Sequence, residues 1–205
     1  MKSIRVFILL LSFVLSASVS RSQYVQPERN DTVKLFAKTP FDVVQAKTAL
    51  AKGTGTIKGV AFIRRKPNGT IALAGYRINA SKITILLFPV TPYLLEYLDV
   101  KKKERPEKLK FAYIDPKAWS YRLEAITNND GEFTFPEMKP GKYYLEGVLP
   151  YSASGSYDVY TGSGYGNYGG RVDYYESKGY TNTKYHKFNQ FVEIKTEGEV
   201  LEIKL

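Results

Sequence analysis

The stretch ITNNDGEFTFPEMKPGKYYLEGVLP, Ile126 to Pro150, decides the fold. Asn129-Asp130-Gly131 is a turn sequence that tolerates positive φ, and after it Phe133 and Phe135 alternate with Glu132 and Thr134, as a strand with one buried face requires. Pro140-Gly141 makes a second turn. From Lys142 to Leu149 a second extended run places Tyr143, Leu145 and Leu149 on one face and Tyr144, Glu146 and Val148 on the other. The pattern predicts a β-sandwich hairpin whose short first strand folds back towards the second. It contains no catalytic constellation.

These residues carry a resemblance. The run TNNDGEFTFPEMKPGKYYL resembles the carboxypeptidase regulatory-like, or transthyretin-like, domains, on Asp130, Gly131, Phe133, Phe135, Pro140, Gly141 and Tyr143. Upstream, GTGTIKGVAF at Gly53 to Phe62 resembles their opening strand. FVEIKTEGEVLEIKL at Phe191 to Leu205 resembles their closing hairpin, with Leu201, Ile203 and Leu205 on one face. The resemblance spans about Gly53 to Leu205 and implies a non-catalytic Ig-like sandwich; one such fold hosts many roles. GKYYLEGVLP also looks like a segment of collagen-adhesin B-type domains, some of which form a Lys to Asn isopeptide bond assisted by an acidic residue. Lys58 and Glu146 are the residues that this second resemblance points to.

The first residues read as a secretory signal peptide over 1–22: Lys2 and Arg5, the apolar run Val6 to Leu15, then small residues with cleavage expected after Ser20 or Ser22. The apolar core is shorter than the ~20 residues of a membrane-spanning helix, so no transmembrane segment is expected after cleavage. Losing Lys2 and Arg5 lowers the net charge by two, from +10 to +8. A basic exported chain meets anionic surface polymers or acidic glycans more readily than nucleic acid, which is not expected as a partner. With no cysteine there is neither a disulfide nor a lipidated cysteine, and the core alone must hold the domain.

Residues 23–52 read as a leader and a short helix, and 53–205 as a single sandwich domain. Arg21 to Lys38 is polar and unpatterned, read as a flexible leader. Thr39-Pro40 is an N-cap signature for a helix near Pro40 to Lys52, with Phe41, Val44 and Thr48 on one face. The opening strand runs Thr56 to Arg65 and ends at the turn Lys66-Pro67-Asn68-Gly69. A further strand follows at Lys82 to Pro89. Thr91-Pro92 caps a second helix to about Lys102, on the spacing of Tyr93, Leu94, Tyr97, Leu98 and Lys101. Tyr113 to Trp119 reads as an irregular link.

Two segments are candidates for contact. KKKERPEKLK, Lys101 to Lys110, holds six basic residues against Glu104 and Glu107. Lys101, Lys102 and Lys103 suit either a solvated helix C-terminus or an anionic ligand. In Tyr151 to Tyr180, Tyr and Gly make up 15 of 30 residues, too few aliphatics for ordinary core. The segment reads as a binding loop that its glycines and serines let adapt: tyrosines offer a flat apolar face to a sugar ring and a hydroxyl to its polar groups, and Tyr157, Tyr160, Tyr165 and Tyr168 are the candidate contacts. The alternative is a long mobile connection, with a strand at Arg171 to Glu176.

Catalysis has little support. His186 is the single histidine, alternating with Phe188, Gln190, Val192 and Ile194 as a structural strand residue, whereas transthyretin-related hydrolases use several histidines. No metal site or cofactor is expected. Asn30, Asn68 and Asn79 begin Asn-x-Ser/Thr triplets, and Asn68-Gly69 also serves as a turn. The expectation is an all-β Ig-like or transthyretin-like β-sandwich with two short helices behind a signal peptide, periplasmic or extracellular. It would be a non-catalytic secreted or envelope module for binding or structural interaction, its partner an envelope protein or glycan, with carbohydrate binding through the Tyr/Gly-rich loop as the alternative and hydrolysis a weaker one.

Overall fold

A computed structural model describes residues 31–65 and 76–205 of the chain. The signal peptide, the start of the leader, Asn30 and the turn at Lys66 to Gly69 lie outside the described residues. The strands are β1 Val33–Leu35, β2 Gly55–Val60, β3 Phe62–Arg65, β4 Tyr76–Asn79, β5 Thr84–Pro89, β6 Lys110–Ala112, β7 Leu123–Ile126, β8 Glu132–Met138, β9 Gly141–Tyr165, β10 Arg171–Ile194 and β11 Val200–Lys204. The helices are α1 Val43–Ala49, α2 Pro92–Lys101 and α3 Pro116–Ser120. The fold is an all-β sandwich with three short helices among the described residues, one more than expected.

One layer has the strand order β10-β9-β5-β7 and the other β11-β2-β8. Their inner faces meet in one core: Ile57, Phe133 and Phe135 from the second layer pack on Ile85, Leu87, Tyr143, Leu145 and Val192 from the first. Burying these side chains at about 1.5–3 kcal/mol each is what holds a sandwich without disulfides together. Tyr143 keeps its hydroxyl satisfied inside, 2.8 Å from the Lys139 carbonyl and 3.1 Å from that of Ala49.

The first layer is also covered outside, where Phe88 and Tyr144 pack on Tyr93, Leu94 and Tyr97 of α2 and Ala118 of α3. A strand buried on both faces needs consecutive apolar residues, which explains Ile85 to Phe88 and Tyr143-Tyr144-Leu145. Thr91 caps α2 by accepting the Leu94 N–H at 3.2 Å, as its sequence predicts.

The Ile126 to Pro150 stretch makes strands and turns where expected, with Phe133 and Phe135 buried. Its two strands do not pair with each other. β8 joins β2 antiparallel, while β9 joins β5 and β10, so the chain crosses from one layer to the other at Lys139-Pro140. Side chains on both strands that face inward therefore meet across the core rather than side by side. The closing hairpin is corrected in the same way: β10 belongs to the first layer, and β11 lies parallel to β2 in the second. At the NNDG turn, Asn128 Oδ1 accepts the N–H groups of Asp130 at 2.9 Å and Glu132 at 2.8 Å. Gly131, at φ +80°, presses against the Ala61 carbonyl, leaving no room for a side chain.

Other expectations shift. The leader contributes β1, parallel to β6. Helix α1 starts at Val43, with Asp42 as its cap, accepting the Gln45 N–H at 3.0 Å. Its buried residue is Ala46, and Val44 is exposed, so the face assigned from Phe41, Val44 and Thr48 is wrong. The opening strand breaks at Ala61, whose N–H donates to the Gly131 carbonyl while its own carbonyl accepts the Ala80 N–H. α3 occupies the link read as irregular, capped by Asp115. The described residues contain no helix long and apolar enough to cross a membrane.

Candidate functional site

The Tyr/Gly segment is a ribbon and not a loop. β9 runs on past Leu149 to Tyr165, and β10 returns antiparallel from Arg171. The turn between them is closed by Gly166 N–H donating to the Gly170 carbonyl at 2.7 Å and Gly169 N–H to Gly166 at 2.9 Å. At about 3.3 Å per residue, the arms from Tyr151 to Tyr165 extend roughly 45 Å. Tyr, Val and Thr favour extended backbone, and the glycines have a steric use. Gly155 lies opposite Tyr180, where an added Cβ would stand 2.7 Å from the ring. Gly164 lies beside Tyr174, where an added Cβ would stand 3.1 Å from the phenol oxygen. A glycine facing a tyrosine lets the ring lie across the neighbouring strand.

This register decides which tyrosines act together. Tyr160 is directly opposite Tyr175, with ring centroids 5.8 Å apart at 70°. Tyr157 sits diagonally from Tyr180, centroids 6.3 Å apart. An odd spacing between Tyr157 and Tyr160 sends the two pairs to opposite faces. Just beyond, the register shifts between Tyr174 and Tyr175, leaving Thr161 as an extra residue whose hydroxyl donates to the Tyr174 carbonyl at 3.1 Å.

The predicted set of Tyr157, Tyr160, Tyr165 and Tyr168 is therefore not one patch. Tyr165 pairs with Arg171 at the distal end, and Tyr168 stands fully exposed in the turn. The partners missed from sequence are Tyr175 and Tyr180, respectively 62% and 47% exposed. Folding the segment about its Gly166 to Gly170 turn would have found them. Polar side chains accompany each pair: Asp158 and Ser177 share the face of Tyr160 and Tyr175, while Lys178 and Asn182 share that of Tyr157 and Tyr180.

The predicted lysines do not form a free cationic patch. Lys101 Nζ lies 3.0 Å from Glu146 Oε2 in a half-buried ion pair and 5.7 Å from the centre of the Tyr97 ring. Lys102 bonds Asp99 at 2.7 Å. Lys103 makes no ion pair among the described residues. Lys101 borders a groove of about 1030 Å³ between α2 and the outer face of β9 and β10. Leu86, Tyr144, Val148 and Phe191 supply its apolar wall, with Tyr144 and Phe191 rings 5.0 Å apart. Burial, and then the charges of Glu146 and Glu104, push the Tyr97 phenol up to about 12. Burial also raises Tyr144, with Glu146 adding to it. Both remain neutral hydroxyls at ordinary pH.

His186 is exposed at the root of the ribbon, its ring edge-on to Phe188 at 4.9 Å. Among the described residues no cluster of three or more His, Asp or Glu is arranged to hold a metal ion. Lys58 and Glu146 are kept apart by the whole sandwich. Lys58 points out of the second layer, and Glu146 faces α2 outside the first.

No family model matches the chain, and no curated protein matches it in sequence. Among solved structures it is similar to that of a "putative carbohydrate binding protein" from Pseudomonas aeruginosa. The two are 20% identical with a TM-score of 0.55, over 82% of this chain and 99% of the other. A likeness at that identity establishes a shared sandwich fold.

Proposed function

We propose that this chain is an exported, non-catalytic glycan-binding module of the periplasm or cell exterior, built on a regulatory-like sandwich. The observation that carries the reading is the pair of exposed tyrosine couples on the ribbon, Tyr160 with Tyr175 and Tyr157 with Tyr180. A pyranose presents an apolar C–H face to an aromatic ring and hydroxyls around its rim. Asp158 and Ser177 beside one couple, and Lys178 and Asn182 beside the other, supply acceptors and donors at that rim. The basic balance of the chain favours acidic polysaccharides. The similar solved structure is described as a carbohydrate binder, which agrees with the reading without carrying it.

The test is a glycan array on the mature chain, followed by calorimetry with the best ligand. Tyr160→Ala with Tyr175→Ala, or Tyr157→Ala with Tyr180→Ala, is expected to weaken binding at least tenfold, since stacking on two rings is lost. Tyr168→Ala, outside both couples, is expected to change it little. Unaltered affinity in both double variants removes the ribbon from the function.

A second reading, capture of an apolar segment of an envelope protein, is favoured by the groove beside α2. Val148→Glu with Phe191→Glu would abolish such binding while leaving any glycan affinity in place.

A further inference from the structure

β10 is the edge strand of its layer: β9 pairs with one side along its whole length, and no described strand pairs with the other. A two-stranded ribbon with both faces open to water is marginal by itself, and an unpaired edge is a template for another strand. From Arg171 to Lys187 every residue of this strand is exposed.

The charges along that edge restrict what can add to it. Two identical strands pairing antiparallel about a two-fold axis must place some residue opposite itself, because hydrogen-bonded and non-hydrogen-bonded pairs alternate. With Tyr180 at the axis, Asp173 faces Lys187 of the second copy and Glu176 faces its Lys184, each pair occurring twice by symmetry. Tyr175 then faces Tyr185, and Val172 faces Phe188. Moving the axis to Gly179 sets Arg171 against Lys187. Moving it to Thr181 sets Lys178 against Lys184. The neighbouring registers are thus penalised by like charges directly opposite one another.

We propose that the chain forms a symmetric dimer through β10, a second copy adding its edge antiparallel with Tyr180 at the two-fold axis to make a four-stranded ribbon. In the single chain Asp173 is held 2.8 Å from Arg171 and Glu176 is 3.8 Å from Lys178. Both carboxylates remain exposed and can accept a second cation. The dimer continues the aromatic rows: Tyr160 and Tyr175 are followed by Tyr185 and Pro150 of the second copy on one face, and two Tyr180 rings meet on the other. Pairing of the edges needs no ligand, so its test is separate from that of glycan binding.

Sedimentation velocity of the mature chain at low salt is expected to show a monomer–dimer equilibrium. Asp173→Lys with Glu176→Lys, or Lys184→Glu with Lys187→Glu, replaces four attractive pairs by repulsive ones, which at typical cross-strand values weakens association roughly tenfold or more. Combining all four changes restores it. Because the chain has no cysteine, Tyr180→Cys gives a direct readout of register. Its thiols would face each other across adjacent strands and form a disulfide-linked dimer on oxidation. Those of Lys178→Cys would be displaced by four residues, roughly 13 Å along the strand, and would not. A monomer at every concentration, equal crosslinking by the two cysteine variants, or no recovery in the fourfold variant each overturns the proposal.

Discussion

Gly59→Ala sets two opposing effects against each other, and the structure decides between them. Gly59 lies opposite Phe133 in the β2–β8 ladder, and the phenyl ring lies across it. An added Cβ would stand 2.6 Å from Cε1, 2.8 Å from Cε2 and closer still to Cζ. Phe133 is 4% exposed and packs edge-on to Phe135 at 5.9 Å, so the ring cannot move without displacing the core. Overpacking of this kind costs about 1–3 kcal/mol, against about 0.5–1 kcal/mol gained by removing glycine from a strand interior. The net is about 1–2 kcal/mol of destabilisation, or roughly 2–8 °C in Tm for a domain of this size. Gly155→Ala makes a similar contact with Tyr180, but that ring borders solvent and can swing away, so the two effects nearly cancel. Thermal and urea unfolding followed by circular dichroism measure both. Equal stability of Gly59→Ala and the parent, or equal losses in the two variants, would refute the reasoning.

Three further outcomes are expected. Thr91→Ala removes the cap of α2 and should cost about 1 kcal/mol in urea unfolding. A double-mutant cycle on Lys101→Ala and Glu146→Ala should return a favourable coupling of about 0.5–2 kcal/mol, larger than for the exposed Lys102–Asp99 pair treated the same way. Glu96 accepts the N–H groups of Lys38 at 3.0 Å and Thr39 at 2.7 Å, and the Thr39 hydroxyl and these amides lower its carboxyl to about 2 from 4.5. A depressed carboxylate stabilises the fold fully above pH 4.5 and loses that contribution as pH falls towards 2. The protection of the Lys38 and Thr39 amides, measured as exchange relative to the intrinsic rate at each pH, should therefore fall across that window, and Glu96→Gln should remove that pH dependence.

The fold was legible wherever a local signal coincided with a tertiary one. Alternation at Phe133 and Phe135, the cap at Thr91 and the spacing of Tyr93, Leu94 and Tyr97 each reported burial on one face, and each side chain is buried. Pairing was less legible, because two consecutive strands facing one core look alike whether they share a sheet or cross between sheets. That is why Ile126 to Pro150 reads as a hairpin and folds as an arch. Helix α3 is a single capped turn, too short for periodicity to register. In the candidate site, glycine content reads as flexibility when each strand is taken alone. The opposite strand supplies the missing information: Gly155 is small because Tyr180 lies over it, and Tyr175 matters because Tyr160 is across from it. The charged run from Lys101 was legible as a helix end, while the carboxylate that neutralises Lys101 comes from Glu146, 45 residues on.

The central claim is that paired tyrosines on the ribbon hold a glycan. Calorimetric titration of the mature chain and of both double variants, Tyr160→Ala with Tyr175→Ala and Tyr157→Ala with Tyr180→Ala, with the strongest array ligand tests it most directly. The account predicts saturable binding by the parent, weakened at least tenfold in one or both variants with unfolding midpoints unchanged; equal affinity in all three, or no glycan bound by the parent, would contradict it.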